Sequence, residues 1–310
     1  MKTILTDRPL FASGLPKDIN IKVIKHSELQ NFNNAQDVIA ICGSRAMAKT
    51  CSGLNLPALK LFQLTSAGFD GVPLEIFTQK DVAVANAGTV YSTPIAETVI
   101  FGILQIAKKL RKNPNNRHFK FTRGYKEITE LENKKTLIMG AGNIGTAVAN
   151  RLLGFGVEID GYDPYCSSKP QYKKLLRSKE ELLKNIENYD YIVSTLPDNE
   201  QTRGFINNDL FSKMKSTAVI VNVGRKTVFN NEDFYLALKT KQIGGAVLDM
   251  FEKIPNPITN KFRRLKNTII LPGVAAISKE VTPRLNTYIE NNINALLENK
   301  EVSNVINGVK

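Results

Sequence analysis

Lys135-Thr136-Leu137-Ile138-Met139 runs directly into Gly140-Ala141-Gly142-Asn143-Ile144-Gly145, and Thr146 to Leu153 follow with a helix-like pattern. A short apolar strand, a G-x-G-x-x-G turn and a helix, in that order, form the fingerprint of a dinucleotide-binding unit. Gly140 permits the tight turn, Gly142 lets the backbone approach a pyrophosphate, and Gly145 lets the helix pack close to the strand. Phosphates then sit on amide donors at the helix N-terminus, where the helix dipole is positive.

The motif alone is a weak signal; its surroundings strengthen it. A second strand, Val157-Glu158-Ile159-Asp160-Gly161-Tyr162, ends in Asp163, which falls 18 positions after Gly145. A carboxylate there accepts hydrogen bonds from the adenosine ribose hydroxyls and repels a 2′-phosphate. Pro164-Tyr165-Cys166 offer no arginine for such a phosphate. The expected cofactor is therefore NAD in preference to NADP.

The same rhythm extends in both directions. Toward the N-terminus, short Ile-, Val- and Leu-rich runs stand at 3–6, 20–24, 37–42, 59–64 and 82–85, separated by polar or mixed segments. Toward the C-terminus, strands are expected at 135–139, 157–162, 189–195, 218–223, 245–249 and 268–271. This pattern predicts α/β architecture, with parallel sheets covered by helices on both faces. A helix is expected to begin at Pro94, capped by Thr93, and to run to about Leu110. Ser178-Lys179-Glu180-Glu181 is a capping-box pattern, and an amphipathic helix is expected from about Thr282.

The 310 residues suffice for two domains with real cores. No uninterrupted apolar run approaches a membrane span, and the most apolar helix-like stretch, Ala96 to Ala107, is short. The N-terminus lacks the apolar core of a signal peptide. Cys42, Cys51 and Cys166 have no metal-type spacing, so they are read as reduced thiols of a cytoplasmic protein with no metal site. The net charge of +13 is spread along the chain, somewhat denser at 108–126 and 261–266. It reads as a lysine-rich solvated surface. The single cluster His118-Phe119-Lys120-Phe121 is weak support for nucleic acid, so neither nucleic acid nor membrane is an expected partner.

Further motifs carry a resemblance. Thr65-Ser66-Ala67-Gly68-Phe69-Asp70, Ala96-Glu97, Ser194-Thr195-Leu196-Pro197, Val221-Asn222-Val223-Gly224-Arg225, Ala246-Val247-Leu248-Asp249 and Asn304-Val305-Ile306-Asn307 join the fingerprint. Together they resemble the D-isomer-specific 2-hydroxyacid dehydrogenases over nearly the whole chain. The resemblance implies a substrate domain of residues 1–92 plus 283–310 and a Rossmann cofactor domain of 93–282, with the active site in the cleft. It implies a homodimer, with the helix near 94–110 helping the partner contact. It places a small anionic substrate partly on the loop Ser66-Ala67-Gly68, and it sets Leu196, Pro197, Thr202, Val223, Gly224 and Asp249 against the cofactor.

Three side chains carry the chemistry in that family. Arg225 matches the arginine that binds the 2-oxo acid and polarises its carbonyl, a task suited to a planar guanidinium. The proton-exchanging histidine follows a proline, and Gly273 occupies that position in Leu271-Pro272-Gly273-Val274. The glutamate that tunes the histidine precedes a proline, and Ile254 stands there; Glu252, two residues earlier, would point elsewhere. Lys226 replaces a glycine usual after the arginine. Losing both partners together is coherent, because a glutamate that tunes a histidine has no task without it. His26 and His118 are read as solvated surface histidines, and candidate substitutes for the proton donor are Lys279, Lys226 and His118.

Three functions follow from these residues: an NAD-dependent oxidoreductase with altered acid–base chemistry, a catalytically degenerate NAD-binding sensor or partner protein, and, last, a nucleic-acid binder. Restoring His at 273 and Glu at 254 is expected to raise 2-oxo acid reduction if the cleft is otherwise intact.

Overall fold

A computed structural model describes residues 2–10, 14–109, 128–166, 168–249 and 261–309. The chain divides into two compact units, one of residues 1–91 with 278–310 and one of residues 92–277.

The first unit carries a five-stranded parallel sheet. Its strands are β1 (Thr3–Thr6), β2 (Asn20–Val23), β3 (Val38–Gly43), β4 (Leu61–Leu64) and β5 (Ala83–Ala85), in the order β2-β1-β3-β4-β5. Both faces are covered, so the strands read as apolar runs whose alternate residues feed two cores. Leu5, Ile41, Phe62 and Val84 join one core with Met47 of α1 (Arg45–Ser52) and Phe77 of α2 (Leu74–Gln79). Ile4, Ala40, Leu61 and Ala83 join the other with Leu285, Ile289 and Ile293 of the last helix, Val281–Leu297. Gln63 is fully buried in β4, and its side chain is satisfied by donating to the Leu64 carbonyl and accepting from Asn292 Nδ2 at 2.6 Å.

The second unit carries a seven-stranded parallel sheet. Its strands are β6 (Lys135–Met139), β7 (Glu158–Tyr162), β8 (Lys174–Leu176), β9 (Tyr191–Ser194), β10 (Val219–Asn222), β11 (Gly245–Leu248) and β12 (Thr268–Ile270). Their order, β8-β7-β6-β9-β10-β11-β12, is doubly wound and reverses between β6 and β9, the place where such sheets take ligands. The eleven expected strands all form, within about two residues at their ends. The twelfth, β8, is three residues long and sits among lysines, too short and too polar to announce itself.

One expected boundary is wrong. The helix α3 runs from Gly88 to Ala107, so it begins six residues before Pro94, and the proline lies inside it. Asn86 marks the true start, because its Oδ1 accepts the Gly88 amide at 3.1 Å. Proline has no N–H for the carbonyl four residues back, which here is Val90. Arg284 Nη1 donates to that carbonyl at 2.8 Å, which removes part of the cost. At 20 residues α3 is long and apolar enough by length and composition to cross a membrane, yet half of it is buried inside the protein.

Candidate active site

The fingerprint loop leaves β6 at the reversal of the second sheet. Gly140 has φ +96°, and a Cβ there would lie 2.6 Å from Thr195 Oγ1, so its glycine is required twice over. That hydroxyl, at the end of β9, donates to the carbonyls of Gly140 at 2.9 Å and Met139 at 3.1 Å, tying the loop to the neighbouring strand. Helix α4 (Asn143–Leu153) follows, with Gly142 as its N-cap and no side chain capping it. The N–H groups of Asn143, Ile144 and Gly145 have no acceptor among the described residues. Nothing lies within 4 Å of where a Gly142 Cβ would be. An open space faced by unclaimed amides at a helix N-terminus is what a pyrophosphate requires.

Asp163 ends β7 beside this loop. Its Oδ2 accepts the Ala141 amide at 2.9 Å, and its Oδ1 accepts those of Tyr165 at 2.9 Å and Cys166 at 3.0 Å. Each carboxylate oxygen offers two lone pairs, so Oδ2 keeps one for a ribose hydroxyl. Lys169, which the sequence did not single out, donates to the Ala141 carbonyl at 2.6 Å and to Thr146 Oγ1 at 2.9 Å. The Ala141 peptide is thus pinned on both sides, by an acid at its N–H and an ammonium at its C=O. Arg177 donates to the carbonyls of Asp163 and Cys166. Ser178 Oγ accepts the Glu181 amide as expected, but the Glu181 carboxylate takes the Arg177 N–H, so only half of the capping box forms.

The loops after β9 and β10 lie together. Thr202 Oγ1 donates to the Pro197 carbonyl at 2.6 Å and closes the loop that begins at the buried Leu196. Val223 and Gly224 both donate their amides to the Ser194 carbonyl, at 3.1 and 3.0 Å. A Cβ on Gly224 would lie 2.7 Å from the Leu196 carbonyl oxygen, so the two loops need that glycine to meet. Arg225 follows, half-buried, with Nη1 donating to the Gly224 carbonyl at 3.1 Å. Asp198 stands near it. Its carboxyl is held below the usual range by a hydrogen bond from Arg203 at 2.7 Å, with the Arg225 charge adding to the effect. Lys226 is half-buried at the start of a short 3-10 turn.

Asp249 ends β11 and is 3% exposed. It accepts the amides of Val274 at 2.9 Å and Ala275 at 3.2 Å, so it anchors the segment in which the family histidine would stand. Burial pushes its carboxyl above the ordinary range, against the pull of those amides. Gly273 itself has φ +74° and open space where a Cβ would be. The position has room for a side chain, yet its backbone is left-handed. Ile254 and Glu252, like His118, lie outside the described residues. Lys279 is 93% exposed, and its nearest charge is Glu280 at 3.9 Å, so nothing buries it as a proton donor needs. His26 is exposed and bonded to Thr50.

In the first unit, every carbonyl from Thr65 to Gly68 is occupied. Tyr91 donates to Thr65, the Ala87 amide to Ser66, Asn86 to Ala67, and Ser66 Oγ to Gly68. The amides of Ser66, Ala67 and Gly68 donate to no acceptor among the described residues. A loop that spends its acceptors internally and leaves its donors unused suits an anion. Asn86 and Tyr91 hold it in shape and were not singled out in the sequence, because polar side chains that bond only backbone carry no motif.

Residues 100–275 match the family described as D-isomer specific 2-hydroxyacid dehydrogenase, NAD binding domain. The chain is 28% identical over 250 residues to D-3-phosphoglycerate dehydrogenase of Methanocaldococcus jannaschii, covering 80% of this chain but 48% of that protein. It therefore spans about half the length of that relative. It is 25% identical over 313 residues to glyoxylate/hydroxypyruvate reductase B of Erwinia tasmaniensis, covering 95% and 97% of the two chains. Among solved structures, Rhodotorula graminis D-mandelate dehydrogenase shares the fold with a TM-score of 0.82 at 19% identity, over 98% and 97% of the chains. An NADPH-dependent glyoxylate/hydroxypyruvate reductase of Sinorhizobium meliloti, solved with NADP and malonate, gives a TM-score of 0.74 at 22% identity, over 98% and 96%.

Proposed function

Because the chain belongs to the D-isomer specific 2-hydroxyacid dehydrogenase family, we propose that it is an NAD-dependent oxidoreductase that interconverts a small anionic 2-oxo acid and its 2-hydroxy acid without the family's usual histidine–glutamate pair. The observation that carries this is the joint survival of two parts: a fingerprint loop with unclaimed amides, and Arg225 in the loop that follows β10. Bound NAD(H) supplies or accepts the hydride. Asn143, Ile144 and Gly145 hold the pyrophosphate through their amides, and Asp163 accepts from the adenosine ribose. Arg225 grips the substrate carboxylate and polarises the adjacent carbonyl; the Ser66–Gly68 amides of the first unit are an anion holder in their own right. Lys226, next to Arg225, or water supplies the proton. A positioned acid or base contributes about 10²–10⁴-fold, so turnover of ordinary 2-oxo acids is expected to be slow by that order. We further place the protein in the cytoplasm as a homodimer. Three cysteines, none of them in a disulfide, support the first, and the half-exposed Phe101 on α3 supports the second.

Asp163→Ala tests the choice of NAD. It is expected to weaken NADH binding about tenfold to a hundredfold, the worth of a hydrogen bond to a charged group, and to narrow the preference over NADPH. Fluorescence titrations with both cofactors check this, and an unchanged preference would detach Asp163 from the ribose.

The left-handed backbone at Gly273 favours a second reading, an NAD-binding sensor without turnover. It also revises the expectation that a restored histidine rescues activity. Gly273→His is expected to cost about 1–2 kcal/mol, because a side chain at positive φ crowds its own carbonyl. Its ring would leave the backbone in a direction foreign to an ordinary strand or turn residue. Calorimetry should register the loss of stability, and Gly273→His with Ile254→Glu should bring no gain in reduction; a gain would show that the loop relaxes to accept the ring.

The deciding experiment is NADH consumption with a panel of 2-oxo acids beside a direct NADH titration. Turnover with several acids supports the dehydrogenase. Tight NADH binding with no turnover supports the sensor.

A further inference from the structure

The first unit has its own ligand-type crevice. Its sheet order reverses at β1, which has β2 on one side and β3 on the other. Ligands of open α/β sheets bind outside the carboxyl ends of the strands at such a point. Three segments leave the sheet there: Asp7-Arg8 after β1, Ser44-Arg45 after β3, and Thr65 to Gly68 after β4.

Two arginines stand on these segments, and they differ in what they are committed to. Arg45 is committed to Asp70, with Nη1 to Oδ2 at 2.9 Å. Arg8 is held in place yet keeps its outer edge. Its backbone is bracketed by Thr6 Oγ1, which donates to the Arg8 carbonyl at 2.9 Å and accepts its amide at 3.3 Å. Its Nε donates to Asp7 Oδ1 at 2.9 Å, which fixes the plane of the guanidinium. Its two Nη groups donate to no acceptor among the described residues, and the side chain is 36% exposed.

Arg8 also stands at the same end of the sheet as the anion loop, with β3 between the two strands that they follow. The Tyr91 phenol donates to the Thr65 carbonyl at 2.6 Å. Burial raises the phenol's pKa, while the Arg8 charge opposes that rise and the Asp7 charge adds to it. Arg8, Tyr91 and the unclaimed amides of Ser66 to Gly68 therefore share one end of one sheet. A guanidinium with a free Nη edge matches a carboxylate in two parallel hydrogen bonds.

We infer that Arg8 is a second anion-binding group, and that it gives the protein a preference for 2-oxo acids that carry a second carboxylate. The inference rests on the proposal that the Ser66–Gly68 loop holds a substrate anion. The amides and the guanidinium are separate donors, so one acid with two anionic groups can engage both. The Asp7 carboxylate, already bonded to Nε, sets the orientation and leaves the Nη edge to the ligand.

The test is calorimetric titration of the full chain saturated with NAD⁺, which has no hydride to transfer, with pyruvate, oxaloacetate and 2-oxoglutarate, for the natural sequence, Arg8→Gln and Arg8→Lys. One of the two dicarboxylates should bind about tenfold to a hundredfold tighter than pyruvate, as a charge-assisted pair provides. Arg8→Gln should erase that advantage and leave pyruvate unchanged, and Arg8→Lys should keep part of it. Equal binding of all three acids by the natural sequence, or an equal loss for pyruvate and dicarboxylate in Arg8→Gln, would overturn the inference and leave the proposed function standing. Normal NAD⁺ binding with no acid bound at all would overturn the substrate assignment itself.

Discussion

Gly145→Ala is expected to cost the second unit about 3 kcal/mol or more, at or beyond the upper end of ordinary overpacking, and to abolish measurable NADH binding. The reason is a contact with no slack. A Cβ on Gly145 would lie 2.0 Å from the Gly140 carbonyl oxygen, 3.1 Å from its carbonyl carbon and 3.1 Å from Ile138 Cγ2. The first two are backbone atoms of a loop already fixed by φ +96° at Gly140 and by Thr195 Oγ1. A flexible side chain could swing aside; this loop cannot. The start of α4 would have to move off β6 and carry its unclaimed amides with it. Gly142→Ala is the control, because nothing stands within 4 Å of its Cβ and its φ of −72° suits any residue. That variant should melt like the natural protein and lose NADH affinity only, since its methyl group enters the space assigned to the pyrophosphate. Thermal melting and NADH fluorescence titration separate the two. Identical behaviour of both variants would contradict the close approach at Gly145.

Arg225→Leu is expected to lower kcat/KM for 2-oxo acids by about 10²–10³-fold, the cost of removing one preorganised donor from a developing oxyanion, with NADH affinity unchanged. Arg225 donates to the Gly224 carbonyl and is half-buried, so its guanidinium is oriented before any substrate arrives. Asp198 would lose a cationic neighbour in the variant, but the 2.7 Å bond from Arg203 remains, and stability should fall little. Arg225→Lys keeps the charge and loses the fork, so it should recover substrate binding more than rate. Steady-state kinetics with matched NADH titrations decide this. A rate that barely moves would remove Arg225 from the chemistry and favour the sensor.

Much of the fold was legible because burial on both faces forces strands to be short, apolar and β-branched. Ile4-Leu5, Val38 to Cys42 and Val219 to Val221 could hardly be anything else. The fingerprint was legible because phosphate binding constrains backbone, and backbone constraints appear as glycines. What escaped notice was set by tertiary partners. The start of α3 was misplaced because Pro94 at a first turn is the commoner arrangement; the Arg284 guanidinium that makes an interior proline tolerable is almost two hundred residues away in sequence. Gly273 looked like a simple loss of a histidine, yet its left-handed φ is a property of the loop that Asp249 anchors. Lys169 and Asn86 act mainly on backbone and Arg8 is paired through Nε with its neighbour Asp7, and no spacing rule finds them.

The first unit is built from both ends of the chain. Ile289 and Ile293 fill the same core as Ile4 and Leu61, Asn292 satisfies the buried Gln63, and the Ile306 amide bonds the Val84 carbonyl. During synthesis, which proceeds at about 5–20 residues per second, the opening residues leave the ribosome with one face of their sheet uncovered. They stay so until the last helix has been translated. The second unit is continuous and can close first. A nascent chain of this design therefore carries an exposed apolar face for most of its translation, and that interval is when it depends most on holdase chaperones.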